Sequence, residues 1–213
     1  MEGEAQVLAY ARADFADSNS NFVRLFTELV GSDFAGAVLD LGCGPGDIPL
    51  RLARVHPRMI VHALDGSAAM LRLAREAAAL APEASARVEW LQGLVPGAAL
   101  PRARYDAVVS NSLLHHLADP CALWDTIRRS AAPGAPVVVM DLFRPASAEA
   151  ALAIVDRYAA GEAQILRHDF LASLRASFEP EEIQGQLVVA QLDGLSVQVV
   201  SDRHVLVVGR LQR

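Results

Sequence analysis

The chain has 213 residues, 53% of them apolar, with a formal charge of −6 and two cysteines, Cys43 and Cys121. That length holds one well-buried α/β unit and is short for two. An acidic balance with no lysine and no basic cluster offers little to a phosphate backbone or an anionic membrane, and two cysteines make neither a disulfide framework nor a cysteine metal site.

The N-terminus, MEGEAQVLAYARADF, is acidic ahead of its first apolar patch, unlike a secretory signal. No apolar run approaches the roughly 20 residues that span a bilayer, so the cytoplasm is the expected compartment, with neither membrane nor nucleic acid as partner. Gln6 to Val30 predicts one or two helices interrupted by the polar run Asp17 to Asn21. Because of that polar break the segment is read as an N-terminal helical lid over a ligand, the alternative being an amphipathic helix covering a sheet.

Strands then alternate with helical patterns. AVLDL (Ala37 to Leu41), MIVHALD (Met59 to Asp65), ARVEWLQ (Ala86 to Gln92), YDAVVSN (Tyr105 to Asn111) and APVVVMDL (Ala135 to Leu142) predict five strands. IPLRLARVH, SAAMLRLAREAAAL and PCALWDTIRRSA between them have the apolar spacing of helices packed on a sheet. Helical patterns follow at Ala146 to Ala160 and around Phe170 to Phe178, and PEEIQGQLVVAQL places Pro180 at a first helical position. LSVQVVS and HVLVVGRLQ, joined by Asp202 and Arg203, predict a closing antiparallel hairpin.

The expected fold is therefore α/β: a doubly wound, mostly parallel sheet of seven strands with helices on both faces and a C-terminal antiparallel hairpin. One domain is expected, with a helical cap over 1–35, a ligand-binding core over 36–145 and C-terminal helices and hairpin over 146–213.

Chemistry concentrates in VLDLGCGPGDIPL, Val38 to Leu50. A strand ending in Asp40, a turn GCGPG and a helix opening near Asp47 bring main chain close to a ligand at the carboxyl end of the first strand, where open α/β sheets bind small molecules. A phosphate-binding P-loop needs a lysine that the chain lacks. A dinucleotide loop spaces its glycines G-x-G-x-x-G, and Asp40 and Asp47 would repel its pyrophosphate. A ligand with an ammonium and a sulfonium is attracted instead, by on the order of 4 kcal/mol per opposite charge at about 4 Å and an effective dielectric near 20. S-adenosylmethionine has that chemistry. Asp47 is expected simply to cap the helix.

LDLGCGPG, the acid Asp65 in VHALDGSAAML and the segment YDAVVSNSLLHHLADP together resemble the class I S-adenosylmethionine-dependent methyltransferases, over Ala37 to about Arg144. The resemblance implies S-adenosylmethionine as cofactor. Gly42, Cys43, Gly44 and Gly46 would wrap its methionine portion, with Asp40 near the amino group, and Asp65 would accept from both ribose hydroxyls. Gly66 and Met70 would border the adenine together with Gly93 and Leu94, which contact it through backbone because no acid or amide follows Gln92. Asn111, His115 and His116 would face the acceptor, Asn111 also bordering the cofactor and the two histidines being candidates for a general base. Tyr10, Asp14 and Arg144 are further acceptor-side candidates. Tyr105 and Asp106 read as structural, and Cys43 has no activating partner in the sequence.

The implied function is methyl transfer to a small molecule by in-line displacement. SNSL stands where enzymes that methylate exocyclic or amide nitrogens carry an Asn/Asp-Pro-Pro-Tyr/Phe pattern. The alternatives are a non-catalytic protein of the same build that binds cofactor or a partner, and then an NAD-dependent oxidoreductase.

Overall fold

The computed structural model describes residues 15–212. Helix α1 (Ala16–Val30) leads into strand β1 (Ala35–Leu41), α2 (Asp47–Val55), β2 (Arg58–Asp65), α3 (Ala68–Ala79), the single turn α4 (Pro82–Ser85) and β3 (Val88–Gln92). After β4 (Ala107–Asn111) come a 3₁₀ turn (Leu114–His116), α5 (Cys121–Ser130) and β5 (Pro136–Leu142). The chain ends with α6 (Ala148–Tyr158), α7 (Gln164–Ala176), α8 (Pro180–Val189), β6 (Leu195–Val199) and β7 (His204–Arg210).

The seven strands form one sheet in the order β3-β2-β1-β4-β5-β7-β6. β3, β2, β1, β4 and β5 are mutually parallel, and β7 runs antiparallel to both β5 and β6. Successive connections lead to one side from β1 through β2 to β3, and to the other through β4 to β5. The reversal opens a crevice at the carboxyl ends of β1 and β4.

Both faces of the sheet are covered, which is why the central strands read as unbroken apolar runs; every residue of β5 is buried. Alternation within a strand sorts residues between the faces. Leu39, Leu41, Val137 and Val139 pack with Leu123, Trp124 and Ile127 of α5 and with Ile183 and Leu187 of α8. Val38, Val138 and Met140 pack on the other face with Phe22 and Phe26 of α1, Leu52 of α2 and Leu71 of α3. A smaller cluster joins Leu142 to Ala151 and Val155 of α6 and Leu174 of α7, beyond the carboxyl end of β5. Among the described residues no helix is long and apolar enough to cross a membrane.

Several local expectations are corrected. Helix α1 runs through Asp17 to Asn21 without a break, because those polar residues sit on the early turns while Phe22, Val23 and Phe26 anchor the helix in the core. The closing hairpin turns over four residues, Val200 to Arg203, with His204 O accepting from both Val200 N and Ser201 N. β3 starts at Val88 because Pro82–Ser85 forms a helical turn, and β4 starts at Ala107, after an isolated bridge at Tyr105.

Tyr105 and Asp106 are structural, as their place in the sequence suggests. The Tyr105 hydroxyl meets His62 Nδ1 at 2.9 Å in the core, and Asp106 Oδ2 accepts the Ala37 N–H at 2.7 Å, closing the entry to β1. Asp106→Ala should leave that N–H without its charged acceptor and cost about 1.5–3 kcal/mol, measured as a lower urea midpoint at an unchanged denaturant slope.

Candidate functional site

The loop after β1 is held by β2. Leu64 O accepts from Gly42 N and Cys43 N at 2.8 and 3.0 Å, Asp65 Oδ2 accepts from Gly44 N at 2.8 Å, and Asp65 Oδ1 accepts from Ser67 N at 2.8 Å. Gly44 sits at φ +53°, and a Cβ added there would meet nothing within 4 Å, so this stretch of main chain faces open space. At Gly42 a Cβ would lie 2.9 Å from Leu113, so glycine lets the segment after β4 press against the loop.

Gly46 N-caps α2 and packs on Trp90, where a Cβ would come within 2.6 Å of the indole. Asp47 is therefore not the cap. It opens the helix, and its Oδ2 accepts from Arg51 Nε at 2.6 Å and from Asn19 Nδ2 of α1 at 2.7 Å.

A cavity of about 490 Å³ opens on this loop, lined by Asp40, Gly42, Cys43, Gly44 and Asn111, and by Asn19 from the first turns of α1. Two of its polar atoms, Asp40 Oδ2 and Asn111 Oδ1, are buried without a hydrogen-bond partner among the described residues. Burial, and then the charge of Asp65, push the Asp40 carboxyl up to about 8. A buried acid with no partner is costly unless something polar reaches it, and an ammonium would meet that need; pyrophosphate would not. Burial likewise pushes up the Cys43 thiol, with Asp40 and then Asp65 adding to the effect, which disarms it as a nucleophile. The donor set therefore fits S-adenosylmethionine.

The remaining predicted residues fall into three groups. Gly66, Met70, Gly93 and Leu94 do not line the cavity. They lie beyond Asp65, where exposed Leu94 covers Gly66, a Cβ on which would fall 2.4 Å from Leu94 Cδ2. Met70 is buried in the first turn of α3, which Ser67 caps. Arg144 is engaged with Glu182 at 2.7 Å and Glu179 at 3.4 Å on the first turn of α8, which explains its presence without an anionic ligand. Tyr10 and Asp14 lie outside the described residues.

The third group follows β4. Ser112 takes φ +58° and turns the chain from Asn111 into the 3₁₀ turn, with its N–H donated to Met140 O. His115 and His116 stand on that turn with ring centroids 4.0 Å apart. Desolvation, and then His115, lower His116 to about 4, so its ring is neutral at pH 7. His115 Nδ1 lies 2.5 Å from Asp141 Oδ1, at the end of β5. Asp141 is a residue that motif reading passed over, although VVVMDL ends in an acid after an apolar strand just as the strands ending at Asp40 and Asp65 do.

Asp40 makes stability depend on pH in a definite direction. A folded carboxyl held up at about 8, above its usual 3.8, favours the native state below the lower value, and that contribution is lost as pH rises through the higher one. Without ligand, Asp40→Asn should therefore gain on wild type between pH 5 and 9. A gain of about 2 kcal/mol would raise the thermal midpoint by about 4–8 °C, and scanning calorimetry of both proteins across that range checks it.

A methyltransferase-domain family model matches residues 38–134. An uncharacterized methyltransferase of Mycobacterium tuberculosis is 32% identical over 176 residues, spanning 81% of this chain and 86% of that protein. A trans-aconitate 2-methyltransferase of Azoarcus is 34% identical over 125 residues, 59% of this chain and 46% of that protein. Among solved structures, a SAM-dependent methyltransferase from Aquifex aeolicus superposes with a TM-score of 0.71 at 18% identity, covering 97% of this chain and 98% of that one. Similarity that spans most of both chains, added to a loop whose unpaired acid calls for a cationic ligand, means that the chain belongs to the class I S-adenosylmethionine-dependent methyltransferases.

Proposed function

We propose that the methyl acceptor is a small molecule bound beside the turn after β4, and that the loop after β1 holds the donor, S-adenosylmethionine. The observation that carries this reading is the partnerless Asp40 Oδ2 in a cavity floored by Gly42 and Gly44. Relatives support a small acceptor: the Azoarcus protein is named for trans-aconitate, and a phosphoethanolamine N-methyltransferase of Haemonchus contortus shares the fold at a TM-score of 0.69 and 14% identity, covering 91% of this chain and 52% of that one.

When bound, S-adenosylmethionine supplies a methyl group already activated by its sulfonium. The chain's own work is then orientation and the exclusion of water, and orientation supplies on the order of 7–11 kcal/mol in the best cases. Asp40 would take the ammonium and ionise. Gly42, Cys43 and Gly44 would line the methionine portion. Asp65 keeps lone pairs for the ribose hydroxyls, because a carboxylate accepts about four hydrogen bonds and Gly44 and Ser67 use two. Gly66, Met70, Gly93 and Leu94 would border the adenine once Leu94 moves off Gly66, which its exposure permits.

The first turns of α1 border the donor, tied to α2 through Asn19 and Asp47. On the acceptor side, α7 packs on the 3₁₀ turn and the α6–α7 pair covers Leu142, so these helices are the natural source of specificity.

Calorimetry with S-adenosylmethionine, its demethylated product and NAD tests the donor assignment, with binding of the first two and none of NAD expected. Gly44→Val should lose the donor, since its side chain would enter the cavity and a β-branched residue is strained at φ +53°; Gly44→Ala, with less strain, should weaken donor binding in a protein whose fold is checked by circular dichroism. Asp65→Ala should weaken donor binding at least about tenfold. It should also lower the thermal midpoint, because the Gly44 and Ser67 N–H groups lose their acceptor.

A further inference from the structure

We infer that the open edge of β6 is an interface between two copies of this chain, joined antiparallel, β6 against β6, into one continuous sheet. The inference stands on the edge strand and is independent of the reading of the donor cavity.

The ladder between β6 and β7 fixes which main-chain groups are open. Val200 N donates to His204 O at 3.0 Å and Arg210 N to Gly194 O at 3.3 Å, so the even-numbered residues of β6 exchange their bonds with β7, in the register Ser196↔Val208 and Gln198↔Leu206. The groups of Leu195, Val197 and Val199 therefore point away from β7. Leu195 N turns back onto Leu192 O at 3.0 Å. Leu195 O and the N–H and C=O of Val197 and Val199 have no neighbouring strand among the described residues, because β6 ends the sheet order.

Edge strands are ordinarily blunted by a charge, a proline or a bulge. LSVQV, Leu195 to Val199, has none of these, whereas β3 at the opposite edge carries the exposed carboxylate of Glu89. The apolar surface beside β6 extends onto α8. Gln186 Oε1 accepts from Trp124 Nε1 at 2.8 Å, so the Gln186 flank of α8 faces α5; Val188, about 200° further round the helix, stands on the opposite flank, over the edge. Val188 is 61% exposed and Val199 57%.

A second copy fits this edge because the strand is complementary to itself. With Val197 on a two-fold axis, Val197 N donates to the other copy's Val197 O, and Val199 N to its Leu195 O. Side chains then sort by face. Leu195 and Val197 pack on the α5–α8 side, so Val197 meets its copy there and Leu195 meets Val199, while Ser196 meets Gln198 on the other side. Asp193 falls opposite Ser201, so no like charges oppose each other. A foreign strand would have to reproduce this alternation, whereas a copy supplies it by symmetry.

Sedimentation equilibrium of the full chain over about 1–100 µM should show a dimer in exchange with monomer. Ser196→Lys/Gln198→Lys and Ser196→Glu/Gln198→Glu place like charges across the seam, and each should raise the dimer Kd at least about tenfold. Mixing the two proteins should restore the dimer as a heterodimer, since Lys then faces Glu. Both positions are exposed, and circular dichroism checks the fold of each variant. Should either double variant fail to fold, Val199→Lys on the exposed end of the strand is expected to weaken the dimer in the same way. A wild-type chain that stays monomeric throughout the range overturns the proposal. So does a dimer that these substitutions leave unchanged, or oppositely charged variants that fail to pair.

Discussion

Asp65 accepts the Gly44 N–H on one oxygen and the Ser67 N–H on the other, and those two bonds lay out the carboxyl edge of the sheet. The first fixes the glycine loop so that its main chain faces the cavity. The second sets the entry to α3, which Ser67 then caps. Because Leu64 O holds Gly42 and Cys43 from the same strand end, β2 shapes the site that β1 presents. The strand order makes this possible, since β2 and β4 flank β1 and the crevice opens where the winding reverses.

Electrostatics within that frame favour a cation. Asp40 and Asp65 stand close enough for each charge to weigh on the other, and burial keeps Asp40 largely protonated at pH 7. The arrangement costs the free protein stability and suits a ligand that brings its own positive charge. The same field suppresses the Cys43 thiolate, so a cysteine in the middle of the loop serves as a small side chain.

The turn after β4 is built on a different device. Ser112 in a left-handed conformation bends the chain sharply after β4, sending Leu113 against Gly42 and His115 towards Asp141. A non-glycine residue held there stores on the order of 1–3 kcal/mol of backbone strain. The buried Asp141 bonds offset it, joining β5 to the turn at Leu114 and His115. Arg144, Glu179 and Glu182 make a comparable tie between the end of β5 and α8, outside the cavity.

The parallel core and the glycine loop after β1 were legible in the amino-acid sequence because each rests on local chemistry: apolar runs that only a doubly covered strand can bury, glycines at turn spacing, and acids at the ends of β1 and β2. Periodicity also located α1, yet the polar run Asp17 to Asn21 looked like a break, because a helix's cohesion there comes from Phe22, Val23 and Phe26 one turn on. Contacts between residues far apart in the chain left no such trace. Asn19 with Asp47 is separated by 28 positions, His115 with Asp141 by 26 and Arg144 with Glu182 by 38. Residue type and spacing determined which cofactor chemistry this chain favours. Only the tertiary structure, by burying one carboxylate oxygen without a partner and pairing others, decided that Asp40 Oδ2 is left unbonded in the cavity wall, that Arg144 braces a helix, and which histidine lies against Asp141.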